Sequence, residues 1–369
     1  MTSNMNITVL ADLETADPHS YDVVVNQVAA ALRENGHQVS VLAIRDDVHA
    51  LVDGLKTRKP DLVFNLLESF GDDTGADVAV AGVLGLLKIR HTGGGPGELF
   101  LRQDKGLAKK VLAFEGIPYP HFAVFSQNSD FETGGNLRMP LFVKPLTADA
   151  SIGIEGDSLV RDATSLMKRV ISIHEEINDS ALVEEYIEGR EFFVGVLGNR
   201  EPLALPPIEV DYSGMPDGMP HVLGGKAKWD ESSPEYKGTE TRLAEDLPDE
   251  LRARLQKTAV DACRALRVRD YARVDLRLTE TGEIYVIEVN ASCYLESGSE
   301  FATAAKAAGL DFSALVQRIV ELALERYGEP AAEKEKEEAG ESADNSLPRE
   351  SPEPSPAMVG ESVWRAGVL

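Results

Sequence analysis

The sequence predicts an α/β chain that opens with a doubly wound parallel-sheet domain and continues into α+β domains. Three observations carry this prediction. Strand and helix patterns alternate up to about residue 95, as in βαβ units. The run LVFNLL at 62–67 is continuously apolar, like a parallel strand covered on both faces. The segment DYARVDLRLTETGEIYVIEVNAS at 270–292 alternates polar and apolar residues with the period of a β-hairpin.

The elements follow in order. Residues 7–10 read as the first strand, and 23–33 as an amphipathic helix closed by Asn35-Gly36. Residues 39–42 and 62–67 read as the next strands, and 78–87 as another helix. Ligands of such sheets sit beyond the strand C-terminal ends, which points to the loops at 12–20 and 68–75. No G-x-G-x-x-G follows the first strand, which weakens any dinucleotide reading. The turn-rich 91–97 marks a boundary. Beyond it come a helix at 104–115, strands at 141–144, 181–186 and 191–197, a long polar stretch at 211–245 and a helix at 249–266. Two closing helices follow the hairpin, and the final one, at 313–327, carries an apolar stripe at Leu315, Ile319, Leu322 and Ala323. The expected division is 1–97, 98–187, 188–330 and an acidic, Pro- and Ser-rich tail at 331–369 with a disordered composition.

The net charge is −25, of which −5 falls in the tail, with nine acids and four bases. A surface this acidic repels phosphate backbones, which argues against nucleic-acid binding as the main job. Any phosphate ligand must then be met by local cations or metal. No run reaches the roughly 20 apolar residues of a membrane helix, and the first residues lack a signal-peptide pattern. The two cysteines, Cys263 and Cys293, suit a reducing, cytoplasmic setting. Cys293 has no histidine near it in sequence to activate it and reads as a packing residue.

The hairpin carries the chemistry. With Thr281-Gly282 as a two-residue turn, Asp275 faces Glu288 and Arg273 faces Asn290, while Val274, Leu276 and Leu278 form the opposite face. Directly opposed like charges repel, and a divalent cation compensates best. All-oxygen ligands on one or two carboxylates suit Mg²⁺ completed by substrate phosphates. Arg273 adds positive charge for a transferring phosphate or an oxyanion. The alternative is an exposed ribbon stitched by an Arg273–Glu288 salt bridge. Lys144 ends an apolar strand before a loop of small residues, where backbone N–H groups can cradle phosphates.

The motifs VFNLLESFGDDTG (63–75), Asp104-Lys105, Val143-Lys144-Pro145, ASIGI (150–154), VEEYIEGREF (183–192), KAKWDESSPEYKGT (226–239), RVDLRL (273–278) and YVIEVNAS (285–292) follow one another in an order that resembles the D-alanine–D-alanine ligase family of ATP-grasp enzymes. The resemblance implies the ATP-grasp fold and an ATP-dependent carboxylate–amine ligase working through an acyl-phosphate. It implies that Lys105, Lys144 and Lys228 touch ATP phosphates, that Glu184, Glu185, Tyr186 and Ile187 contact adenine and that Glu191 contacts the ribose. By the same resemblance Ser151 lies in a flap over the γ-phosphate. Asp275, Glu288 and Asn290 hold two Mg²⁺, with Mn²⁺ as an alternative, and Arg273 stabilises the intermediates. Small-molecule carboxylate and amine substrates and a homodimer are implied as partners.

The substrate positions depart from the family. ADLETADPHSYD stands where the family has a Gly-Gly-x-Ser-x-Glu-like stretch, with Glu14 or Asp17 as a substitute for its Glu. Cys293-Tyr294 replace a Pro-Gly pair, Ser299 matches the serine that holds the acceptor carboxylate, and Glu300 replaces an apolar neighbour. The expected activity is therefore a carboxylate–amine ligase on an amino acid or short peptide. The alternatives are a D-alanine–D-alanine ligase proper and a non-catalytic nucleotide-binding protein.

Overall fold

The structure is a computed structural model. It describes residues 4–328 apart from 14, 16, 18, 19, 72–74, 128–130, 134, 135, 150 and 217. Glu14, Ala150 and the tail at 331–369 therefore lie outside the described residues. Among the described residues the strands form three sheets, each built from one contiguous stretch of chain.

The first sheet has the order β2-β1-β3 and is parallel, with β1 Asn6–Asp12, β2 Gln38–Ile44 and β3 Leu62–Asn65. Five successive residues of β1 and all four of β3 are buried, as a sheet covered on both faces requires. Helix α1 (Val23–Glu34) starts where the Asp22 carboxylate accepts the Val24 N–H at 2.8 Å. Helix α2 (Val48–Arg58), capped by Asp47, lies in the stretch between the second and third strands, which carried no assigned element in the sequence reading. Helix α3 is Asp77–Leu86. Two short helices follow, α4 (Pro96–Gln103) and α5 (Lys105–Phe114), and Asp104 caps the second through Leu107 N–H.

The second sheet, order β5-β4-β8-β6-β7, comprises β4 (Phe122–Phe125), β5 (Phe131–Thr133), β6 (Leu141–Pro145), β7 (Leu159–Val160) and β8 (Ala181–Glu185). Helix α6 (Ala163–Ser172) packs on β6 and β7. The third sheet runs β12-β11-β9-β13-β14 with β10 beside β9. Its strands are β9 (Arg190–Leu197), β10 (Leu203–Ala204), β11 (Ile208–Asp211), β12 (Glu240–Leu243), β13 (Tyr271–Leu278) and β14 (Ile284–Ala291). The polar stretch holds two short helices, α7 (Gly225–Trp229) and α8 (Pro234–Gly238). Helix α9 (Asp249–Ala265) covers the apolar face of this sheet, and α10 (Glu300–Ala307) lies on the other side of β9. The closing helix α11 (Phe312–Arg326) buries its predicted stripe against α1, so one core joins the first sheet to the third. No helix among the described residues is long and apolar enough to cross a membrane.

The hairpin register holds, but not for the expected reason. Asp275 pairs with Glu288 and Arg273 with Asn290. The turn is one residue longer than predicted. Thr279 N–H donates to the Glu283 carbonyl at 2.9 Å and closes a three-residue loop whose Gly282 sits at φ +84°. A β-bulge at Asp275/Leu276, where Leu276 pairs with Val286, absorbs the extra residue. Ile287 is the residue left over.

Candidate active site

The polar face of β13 and β14 looks into a cleft between the second and third sheets. Lys144, Ser151, Glu184, Glu185, Tyr186 and Ile187 line it from one side. Glu191, Lys228, Asp275 and Glu288 line it from the other. Ten positions chosen from the sequence thus meet in one place. Phe142, Ile154, Leu223 and Ile287 give the cleft apolar walls beside those charges.

Strand register sets the charged end. Glu288 lies opposite Asp275, and its carboxylate is 3.5 Å from the Lys105 ammonium. Burial works against its charge, but Lys105 foremost, then Lys144, Lys228 and Arg273, hold the Glu288 carboxyl at about 2. Burial raises the Asp275 carboxyl, opposed by Arg273, which grips both carboxylate oxygens at 2.8 and 3.0 Å. Asn290 Nδ2 donates to Asp275 at 3.3 Å. The Arg273 guanidinium also stacks 4.5 Å above the Phe193 ring. The partner of Arg273 is Asp275 rather than the Glu288 that an ordinary cross-strand salt bridge would use. The oxygen set of Asp275, Glu288 and Asn290 fits a hard divalent cation. No group of three or more His, Cys, Asp and Glu converges among the described residues, so such an ion would draw further ligands from bound phosphates.

Other predicted residues hold less expected positions. Lys105 donates to the Ala148 carbonyl at 2.8 Å. The Glu184 carboxylate is buried between two lysines, 3.1 Å from Lys144 and 2.6 Å from Lys109. Glu191 takes a 2.6 Å ion pair from Arg277 and a 2.6 Å hydrogen bond from Tyr212. Tyr186 donates to the His221 carbonyl at 3.1 Å, with the Arg277 guanidinium 5.5 Å from its ring. Ser151 adopts a left-handed φ of +61°, and its hydroxyl donates to the Leu223 carbonyl at 3.3 Å, tying the flap to the segment before α7.

A second cleft lies beyond the hairpin, where Glu68 and Arg102 face Cys293 and Tyr294. Tyr294 donates to Asp22 at 3.0 Å. Burial lifts the Cys293 thiol to about 12, in keeping with a packing role. Crowding by protein lifts the Glu68 carboxyl to about 7; Arg102 opposes this, while Asp149, Asp12 and Asp22 add to it. Ser299 is the N-cap of α10, its hydroxyl accepting the Ala302 N–H at 3.3 Å. Glu300 sits 3.8 Å from Arg273. Sequence reasoning missed Lys109 and Arg102, and pointed to Glu68 only as part of the 68–75 loop. The spacing of Lys105 and Lys109, one helical turn apart, was the available signal for the first.

The chain is similar to known proteins in sequence and in fold. The family profile described as D-ala D-ala ligase C-terminus matches residues 111–321. The chain is 32% identical to the uncharacterized protein y4sG of Sinorhizobium fredii, over 82% of this chain and 88% of that one. It is 34% identical to a D-alanine–D-alanine ligase of Moorella thermoacetica, over 81% of this chain and 92% of that one. The solved structure of the Bacillus anthracis D-alanine–D-alanine ligase complexed with ATP superposes with a TM-score of 0.68 at 25% identity, covering 87% of this chain and 98% of that one.

Proposed function

The chain belongs to the D-alanine–D-alanine ligase family of ATP-grasp enzymes, ATP-dependent ligases that form carbon–nitrogen bonds, and from that premise we propose that it joins a small carboxylate to an amine with release of ADP and phosphate. The observation that carries this is Glu288 facing Asp275, 3.5 Å from Lys105, with Lys144, Lys228 and Arg273 near enough to favour its charge.

In this reading adenine lies between the apolar walls, against the Glu185–Ile187 segment, with the ribose near Glu191. Lys105, Lys144 and Lys228 neutralise the phosphates, and Ser151 closes over the terminal one. The family uses ATP with a divalent metal; we assign two Mg²⁺, replaceable by Mn²⁺, to Asp275, Glu288 and Asn290. Bound there, the metal supplies charge neutralisation for the phosphates. The substrate carboxylate attacks the γ-phosphorus, the bond to ADP breaks, and an acyl-phosphate results. The amine then attacks the acyl carbon, loses a proton, and expels phosphate. Arg273 is positioned for the oxyanion of that second step. The setting is cytoplasmic and the assembly a homodimer, as the family suggests.

The departures favour a substrate other than D-alanine. Glu300 stands beside Arg273. Asp12, Asp22 and Asp149 lie near enough to act on Glu68, against Arg102, and Asp22, Glu68 and Glu296 act on Tyr294. We therefore assign an amine with a second positive charge, such as a diamino acid, to the cleft of Glu68 and Tyr294. The match at Ser299 is what favours D-alanine–D-alanine ligation as the second reading. ADP release is to be measured against D-alanine, neutral amino acids and diamino acids. Fastest release with diamino acids is expected, and release with D-alanine alone would overturn the substrate assignment.

A further inference from the structure

A fully buried ammonium lies behind the cleft, outside every role given above. Lys109 is 2% exposed, on the inner face of α5. Its Nζ is 2.6 Å from one oxygen of Glu184, and the other oxygen of Glu184 is 3.1 Å from Lys144. Nζ also donates to the carbonyl of Ile287 at 3.1 Å, the extra residue of the hairpin bulge. Lys109 thus touches both sides of the cleft from beneath: the strand that carries Glu184 and the strand that carries Glu288.

Charge gives this contact a purpose. Glu184 alone would neutralise Lys144 and draw it away from the cleft. Two ammonium groups on one carboxylate leave a net charge of +1 in a buried cluster where screening is weak. That surplus faces the end of the cleft where phosphates are expected. The apolar environment makes a bare carboxylate expensive, so Glu184 needs both partners. The Ile287 carbonyl, displaced from the regular ladder by the bulge, needs a donor as well.

We propose that Lys109 is a positioning residue for the nucleotide: by pairing with Glu184 it leaves the positive charge of Lys144 uncompensated and free to meet the phosphates, and by holding the Ile287 carbonyl it fixes the bulge that sets Glu288. The inference rests on the reading of the cleft as the ATP site.

Calorimetric binding of Mg-ATP and of adenosine to the full chain tests it, with Lys109→Met and Lys109→Gln. The Met variant is expected to bind Mg-ATP at least about tenfold more weakly, because Glu184 then compensates Lys144 alone, and to bind adenosine within about threefold of wild type, because adenosine brings no phosphates. A merely structural lysine predicts equal losses for the two ligands, and that result overturns the inference. Unchanged Mg-ATP affinity in Lys109→Met overturns it as well. If Lys109→Met does not fold, Lys109→Gln decides by the same two readings. Failure of the wild-type chain to bind Mg-ATP overturns the ATP reading and this inference together, whereas wild-type binding with an unaffected variant overturns only the role of Lys109.

Discussion

Lys105, Lys144, Lys228 and Arg273 hold the Glu288 carboxyl low, and in the proposed function it binds the metal while bound phosphates draw on the same cations. Glu288→Gln keeps the shape and removes the charge. We expect turnover, read as ADP release, to fall at least about a hundredfold, with the thermal midpoint nearly unchanged. Retention of most ADP release would remove Glu288 from the metal site. At this scale the sequence was informative where function rests on one face of one ribbon, as for Asp275, Glu288 and Asn290. It was silent on partners distant in sequence, such as Lys109 under Glu184 or Phe193 under Arg273. Periodicity tells which way a side chain points and not what it meets.

Secondary-structure elements account for a residue read in two ways. Ser299 was expected to hold an acceptor carboxylate, and its hydroxyl caps α10. If the cap is its main role, Ser299→Ala should lower unfolding stability by about 1 kcal/mol, and Ser299→Thr should keep most of it. Denaturant titration decides, and an unchanged midpoint in the Ala variant would count against the cap. The hairpin holds the clearest difference between expectation and structure. The turn was read as two residues because Thr281-Gly282 resembles a tight turn. The loop has three, and the bulge beside Asp275 restores the pairing. Two local irregularities cancel, so the half that carries Asp275 and Glu288 kept its predicted register while the turn half did not. Short helices such as α7 and α8 were not legible because they are held by caps and tertiary contacts rather than by long apolar stripes.

Across the whole molecule, the first ninety residues read well because buried parallel strands and an amphipathic helix leave strong periodic signals. The second sheet read less well: β4 and β7 are two to four residues long and α6 follows no turn signal that was used. We keep the division at 97 and 187 as a proposal, supported by the fact that no sheet among the described residues crosses either point. The tail at 331–369 is too polar to extend a core, so its removal should leave ADP release within about twofold of the full chain. A larger loss would give the tail a part in the reaction. The central claim is that this chain makes an acyl-phosphate from ATP and a carboxylate and passes it to an amine. It is tested most directly by supplying ATP, Mg²⁺ and a mixture of amino acids labelled with ¹⁸O in their carboxylates, and weighing the products. The account predicts ADP, phosphate carrying one labelled oxygen, and an amide. AMP with pyrophosphate, or phosphate without label, would contradict it.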